Sequence, residues 1–190
     1  MPAIFIGITI QHYIIFLEGI EATHRCQYQE LEAILLGNIS SIYYLKDDPT
    51  GLTYSLQIYE LGHQLNSAYL IFIGALNASY MYYLLHEYDK ALPYIQEAEF
   101  IMKQNEYYNQ GNVYAIYGMI EFAKGNRKQA VEYYKKGNLS LNDINQTSYK
   151  VLLLNEYAKA LAEEGRNKEA IDLLFQALSF TKEENLRNSS

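Results

Sequence analysis

Residues 125–137 read GNRKQAVEYYKKG, and the same pattern occurs twice more in the chain, as HEYDKALPYIQEA at 86–98 and EGRNKEAIDLLFQA at 164–177. Each begins with turn-forming or polar residues, passes a charged residue, and reaches an alanine followed by an aliphatic residue. A large apolar residue and a small one then follow at helical spacing. Ala91, Ala130 and Ala170 mark the same place in the three copies, 39 and 40 residues apart. A fixed period in the range of about 20–50 residues is the signature of stacked structural units. Ser55, in LTYSLQIYELG, fits a fainter fourth copy 36 residues before Ala91.

Within a unit the apolar spacing is helical on both sides of the turn. Tyr114, Tyr117 and Ile120 precede the glycine, and Ala130, Val131, Tyr134 and Gly137 follow it, so each unit is predicted to hold two helices. Gly125-Asn126 and Gly165-Arg166-Asn167 supply residues that end a helix and reverse the chain within a few positions. The product is an antiparallel helical hairpin. Helices are predicted over 3–19, 27–46, 51–65, 68–85, 88–104, 110–124, 127–138, 147–164 and 167–180. Only three prolines occur in 190 residues, which leaves long stretches free of the residue that removes a helical donor.

A hairpin of this size cannot hide both of its faces, so each must lean on the next along the chain. No composition shift or linker divides the sequence, and a single all-α domain over 1–190 is expected. Its repeats are 36–67, 72–105, 111–142 and 151–182. Residues 1–35 form either an apolar first helix or a degenerate repeat, and 183–190 a frayed tail.

Composition restricts the function classes. The chain is 49% hydrophobic and 19% charged, with a net charge of -7. Nucleic-acid affinity depends on clustered lysine and arginine, and the basic clusters at 124–128 and 135–136 are small and interrupted. No nucleic-acid partner is expected. The apolar start, MPAIFIGITIQHYIIFLEGI, has no lysine or arginine before Arg25 and is split by Gln11-His12. It reads as a buried helix, neither an export signal nor a bilayer span. A single cysteine, Cys26, rules out an internal disulfide framework and fits a reducing compartment, the cytoplasm. HExxH, phosphate-loop and CxxC motifs are absent from the sequence, and His12, His24, His63 and His86 are scattered. No catalytic residue, metal ligand or cofactor is assigned.

The three copies resemble the tetratricopeptide repeat, a helix-turn-helix unit usually 34 residues long. The resemblance covers residues 36–182 and is strongest from 72 onward. With each alanine set at position 20 of its unit, position 8 holds Ser79, Gly118 and Ala158, and position 27 holds Ala98, Gly137 and Ala177. All six are small, as close helix crossings require. The family's tryptophan is replaced by Ala75, Tyr114 and Leu154, and its closing proline by Lys103, Asn142 and Lys182. Without that proline nothing forces the second helix to stop at the usual place, which fits units of 39 and 40 residues. The lengthened units look like those of bacterial regulatory proteins.

The resemblance implies a right-handed superhelical array of antiparallel helix pairs whose first helices line a concave groove. Carried over position by position, that groove is lined by Asn77, Tyr80 and Tyr83, then Asn112, Ile116, Met119 and Phe122, and finally Asn155 and Lys159. An asparagine can pair with both the N–H and the C=O of a peptide bond, and the aromatic and apolar residues between suit a ligand's side chains. A clamp for a terminal carboxylate would need several lysines or arginines, and only Lys159 is present. The neutral groove is similar to those of bacterial cytoplasmic peptide-pheromone receptors, and the implied partner is a protein segment or peptide. The last helix, IDLLFQALSF, carries Ile171, Leu173, Leu174, Phe175, Leu178 and Phe180, which cannot all face one neighbour. Either another chain covers the remainder or this chain is a piece of something longer, and a homodimer through a terminal repeat is the expectation. The other reading is an assembly subunit whose repeat surfaces are constitutively buried.

Overall fold

The computed structural model describes residues 14–23, 25, 28–105, 110–140 and 147–187. The expectations for residues 1–13 and for the last three residues, together with His12, His24 and Cys26, lie outside the described residues. Every regular element among the described residues is helical, and none is a strand. Residues 14–23 form α1. The helices that follow are α2 (Gln29–Leu45), α3 (Leu52–Gln64), α4 (Ala68–Leu84), α5 (Tyr88–Asn105), α6 (Gln110–Ala123), α7 (Arg127–Ser140), α8 (Thr147–Glu163) and α9 (Asn167–Arg187). A 3-10 turn, Pro49–Gly51, leads into α3. Most predicted boundaries fall within two residues of these. The exceptions are α1, helical through residue 23 where an end at 19 was predicted and exposing Ile14, Ile15 and Leu17 where a buried helix was expected, and α9, which continues to Arg187 where a tail from 183 was expected. No proline or glycine follows Gly165 to stop it.

The phrase that marks each unit is a helix-ending motif with a helix start built onto it. At the ends of α4, α6 and α8 one residue enters the left-handed region: His86 at φ 60°, Gly125 at 88° and Gly165 at 77°. Its N–H reaches back to the carbonyl of Tyr83, Phe122 or Ala162, and the next N–H to Tyr82, Glu121 or Leu161. This paired backbone bonding satisfies carbonyls that the helix end would leave bare. The residue that supplies the second donor then offers its own carbonyl to the alanine one turn on: the N–H groups of Ala91, Ala130 and Ala170 bond the carbonyls of Glu87, Asn126 and Arg166. These are the first α-type bonds of the second helices. The repeated alanine is thus the residue at which each second helix closes, and all three are buried. The same pair of bonds ends α2 at Asp47 and α3 at Asn66.

Packing divides the chain into two compact units between Ile101 and Met102. In the first, α2 packs on α3, α3 on α4, and α2 on α4. Ala33, Leu36, Ile58 and Leu61 form a core cluster there, with Ile20, Tyr54, Leu65 and Leu70 against it. The α3–α4 approach is close enough that a Cβ on Gly74 would lie 2.5 Å from the backbone N of Tyr59. In the second unit α6 packs on α7, α7 on α8, α8 on α9, and α6 on α8. Tyr134 is fully buried there, its ring seated on Gly118 and 6.1 Å from the ring of Tyr157 on α8. Of the six small residues expected at close crossings, all are buried. Helices therefore pack consecutively within each unit. No helix among the described residues is long and apolar enough to cross a membrane.

Candidate functional site

The residues proposed to line a groove divide between the two units. In the first, α4 carries Asn77, Tyr80 and Tyr83. Asn77 is buried, and its Nδ2 donates to Ser40 Oγ at 2.9 Å. Ser55 Oγ donates to the Gly51 carbonyl at 3.0 Å, so the 2.9 Å contact between Ser40 and Ser55 is donated by Ser40. The proton directions are thereby fixed along a buried chain from α4 through α2 to α3, ending on a backbone oxygen. Ser55 stands where the later copies have alanine, and this chain gives a buried hydroxyl the partners it needs. Tyr80, also buried, donates its hydroxyl to Asp47 Oδ1 across 33 positions of sequence. Burial, followed by that bond to a carboxylate, pushes its phenol above the ordinary value. Tyr83 is half-buried with its ring 6.0 Å from that of Tyr80.

In the second unit Asn112, Ile116 and Met119 of α6 are buried, while Asn155 and Lys159 of α8 are exposed. Asn155 is therefore the one of the three asparagines that faces solvent. Lys159 Nζ lies 5.1 Å from the ring centre of Phe122 on α6, and the guanidinium of Arg127 stands 4.5 Å from the same ring. Arg127 Nη1 donates to the Phe122 carbonyl at 2.7 Å and its Nε to Glu163 Oε2 at 2.6 Å. One side chain at the start of α7 thus ties the end of α6 to the end of α8. The result is a half-buried aromatic ring with two cations on it and an amide one turn away along α8.

Helical periodicity does not single out Arg127. Its role depends on Glu163, 36 positions away, and no local pattern announces that pairing. A second feature without a sequence signature lies on the first unit, a cleft of about 490 Å³ lined by Tyr59, Tyr82, Asp89, Lys90, Pro93, Tyr94 and Glu97. Tyr59 and Tyr94 meet edge to face with centroids 5.2 Å apart, and Tyr82 stacks on Tyr94 at 5.5 Å. Tyr59 donates to Glu97 Oε2 at 2.5 Å. Burial and then Glu97 raise its pKa, and burial and then Tyr82 raise that of Tyr94. Adjacent tyrosines on a helix point about 100° apart, so Tyr82 turns into this cleft while Tyr83 turns toward Tyr80.

His63 lies 3.4 Å from Glu97 Oε1, and His86 Nδ1 is 2.9 Å from the hydroxyl of Tyr88. Among the described residues no group of three or more histidines, cysteines or acids is placed to hold a metal ion. Compared with known protein families and with curated proteins, the chain matches none.

Proposed function

We propose that the chain is a non-catalytic binding scaffold of the tetratricopeptide kind, taking an extended protein segment along the first helices of its pairs. The observation that carries this reading is the strip on α6 and α8. Asn155 offers a donor and an acceptor to a ligand's backbone, Phe122 offers apolar area, and Lys159 offers a cation to a ligand carboxylate. Because Asn77 and Asn112 are buried in this conformation, the binding surface narrows to Phe122, Asn155 and Lys159. The lengthened units fit the sensor part of a bacterial regulatory protein. The second reading, a constitutive assembly subunit, is favoured by the apolar outer face of α9.

The test is selection of a phage-displayed random peptide library on the full-length chain, followed by calorimetric titration of the enriched peptides. Asn155→Ala, Lys159→Ala and Phe122→Ala are each expected to weaken binding by about tenfold, with Gln96→Ala on α5 as an unaffected control. An absence of enrichment, or unchanged affinity in all three variants, would overturn the reading.

A further inference from the structure

Three successive helices of the first unit each send a tyrosine to one cleft. Tyr59 of α3, Tyr82 of α4 and Tyr94 of α5 line a space of about 490 Å³, within the range of about 300–1,000 Å³ usual for small-molecule sites. The planes of Tyr59 and Tyr94 stand at 75° with centroids 5.2 Å apart, and Tyr82 stacks on Tyr94 at 24°. The rings thus present π faces in two directions at one place. All three are half-buried, so part of each ring stays open to a ligand. Among the described residues that line the cleft, Pro93 is the one with neither an aromatic ring nor a charge. A ligand gains little there from aliphatic contact.

The charge around these rings is negative. Asp89 and Glu97 line the cleft. Burial and Tyr82 raise the Tyr94 phenol most, and the charges of Glu60 and Glu97 add to that rise. Lys90 is the one cation among the described lining residues, and Glu87 pairs with it. Its Nζ lies 5.9 Å from the ring centre of Tyr82, so an ammonium of the protein's own already rests over one of the rings. The carboxylate of Glu97 supplies charge with its oxygens already in use. Oε2 accepts from the Tyr59 hydroxyl at 2.5 Å, and Oε1 faces His63 Nε2 at 3.4 Å. A phenol that donates to a carboxylate also gains electron density in its ring, which deepens the attraction of that face for a cation.

A negative, ring-lined cleft whose acceptors are engaged selects a cation that needs no acceptor. Asp89 and Glu97 repel anions, and a primary ammonium or a guanidinium would arrive with donors to satisfy. A quaternary ammonium carries no N–H, spreads its charge over methyl groups, and is drawn to aromatic faces by the ring quadrupole. We propose that the cleft of Tyr59, Tyr82 and Tyr94 is a binding site for a quaternary ammonium head group, held on the ring faces with Asp89 and Glu97 as counter-charge. The site belongs to the first unit and does not depend on the peptide strip of α6 and α8.

The probe is choline, titrated into the full-length chain and followed by the NMR signal of its N-methyl protons. Ring currents move protons above an aromatic face upfield, so contact with the rings is read directly. A dissociation constant of about 0.1–1 mM is expected from two or three modest cation–π contacts. The neutral analogue of choline, with carbon in place of the ammonium nitrogen, has the same shape and should bind at least about tenfold more weakly. Tyr82→Leu and Glu97→Gln should each weaken choline by about three- to tenfold with unchanged circular dichroism. Lys90→Met, at an exposed position, removes the ammonium that competes for Tyr82 and should tighten choline by about two- to threefold. Trimethyllysine, as its N-acetyl amide, is titrated alongside. Tighter binding than choline assigns the head group to a modified protein side chain, and weaker binding assigns it to a small molecule. No upfield shift at about 10 mM choline, equal binding of the neutral analogue, unchanged affinity in Tyr82→Leu, or weaker binding in Lys90→Met would each overturn the proposal.

Discussion

Both units reverse the chain with the same pair of backbone hydrogen bonds, but the first places Asp47, Asn66 and His86 in the left-handed position and the second places Gly125 and Gly165 there. An L-residue in that conformation costs about 1–2 kcal/mol, least for asparagine and aspartate. The first unit recovers something from the side chains it keeps. Asp47 accepts the hydroxyl of buried Tyr80, and His86 meets Tyr88. The second unit has no side chain at the turn and moves the polar contacts to the residues after it. Asn126 donates to Glu121 at 2.7 Å, Arg127 to Glu163, and Arg166 grips Glu169 through two bonds of 2.7 and 2.6 Å. One unit economises on strain, and the other puts the strained residue to use.

The same contrast appears where helices cross. A Cβ on Gly74 would meet the backbone of Tyr59 at 2.5 Å, whereas one on Gly118 would meet the ring of Tyr134 at 2.6 Å. A ring can shift by a small rotation, but a helix backbone must move as a whole. Gly74→Ala is therefore expected to be the most damaging single change here, lowering stability by about 3 kcal/mol, with Gly118→Ala nearer 1–2 kcal/mol. Urea denaturation of the two variants reads the difference directly. Equal losses would show that the first unit's crossing is no tighter than the second's.

How far the sequence carried this architecture depended on which of these devices a segment uses. The alanine at 91, 130 and 170 and the small residues at the crossings are dictated by local geometry, and the structure buries every one of them. The ends of α6 and α8 are announced by glycine. Those of the first unit are not, and only the periodicity on either side locates them. The candidate site was less legible for a different reason. Asn77 and Tyr80 occupy positions where exposure was expected, yet Ser40 and Asp47, 37 and 33 positions away, take up their polar groups. Helical spacing says which side of a helix a residue is on, but not which distant hydroxyl or carboxylate stands opposite. The length of α9 shows the same limit, because the residues after Phe180 contain no breaker and nothing local marks a stop.

Tyr80 gives the next test. Replacing it with phenylalanine keeps the buried ring and removes only the bond to Asp47, whose carboxylate is exposed and can rehydrate, so the loss should be about 1–1.5 kcal/mol. The pH dependence separates the phenol from the ring. Its folded pKa is raised above the ordinary 10.0, so its contribution is complete below that value and is lost as pH rises beyond it. Above about pH 10 the urea midpoint of the unmodified chain should fall more steeply than that of Tyr80→Phe. Parallel slopes would mean that the phenol is not held neutral by its surroundings.

The smallest effects return to the turns themselves. A methyl group added at Gly165 would meet nothing within 4 Å, so Gly165→Ala isolates the backbone penalty and should destabilise by about 1 kcal/mol. Asn66→Gly runs the exchange in the other direction at a position whose side chain tolerates the left-handed region. Relief of strain there is partly offset by the freedom glycine gains in the unfolded chain, leaving a change of about 0.5 kcal/mol or less. Calorimetric melting of the two variants should give a clear drop for Gly165→Ala and a shift near the limit of detection for Asn66→Gly. A large loss for Asn66→Gly would instead give the Asn66 side chain a stabilising contact comparable to that of Asp47, and the first unit would then use its strained residues at every turn.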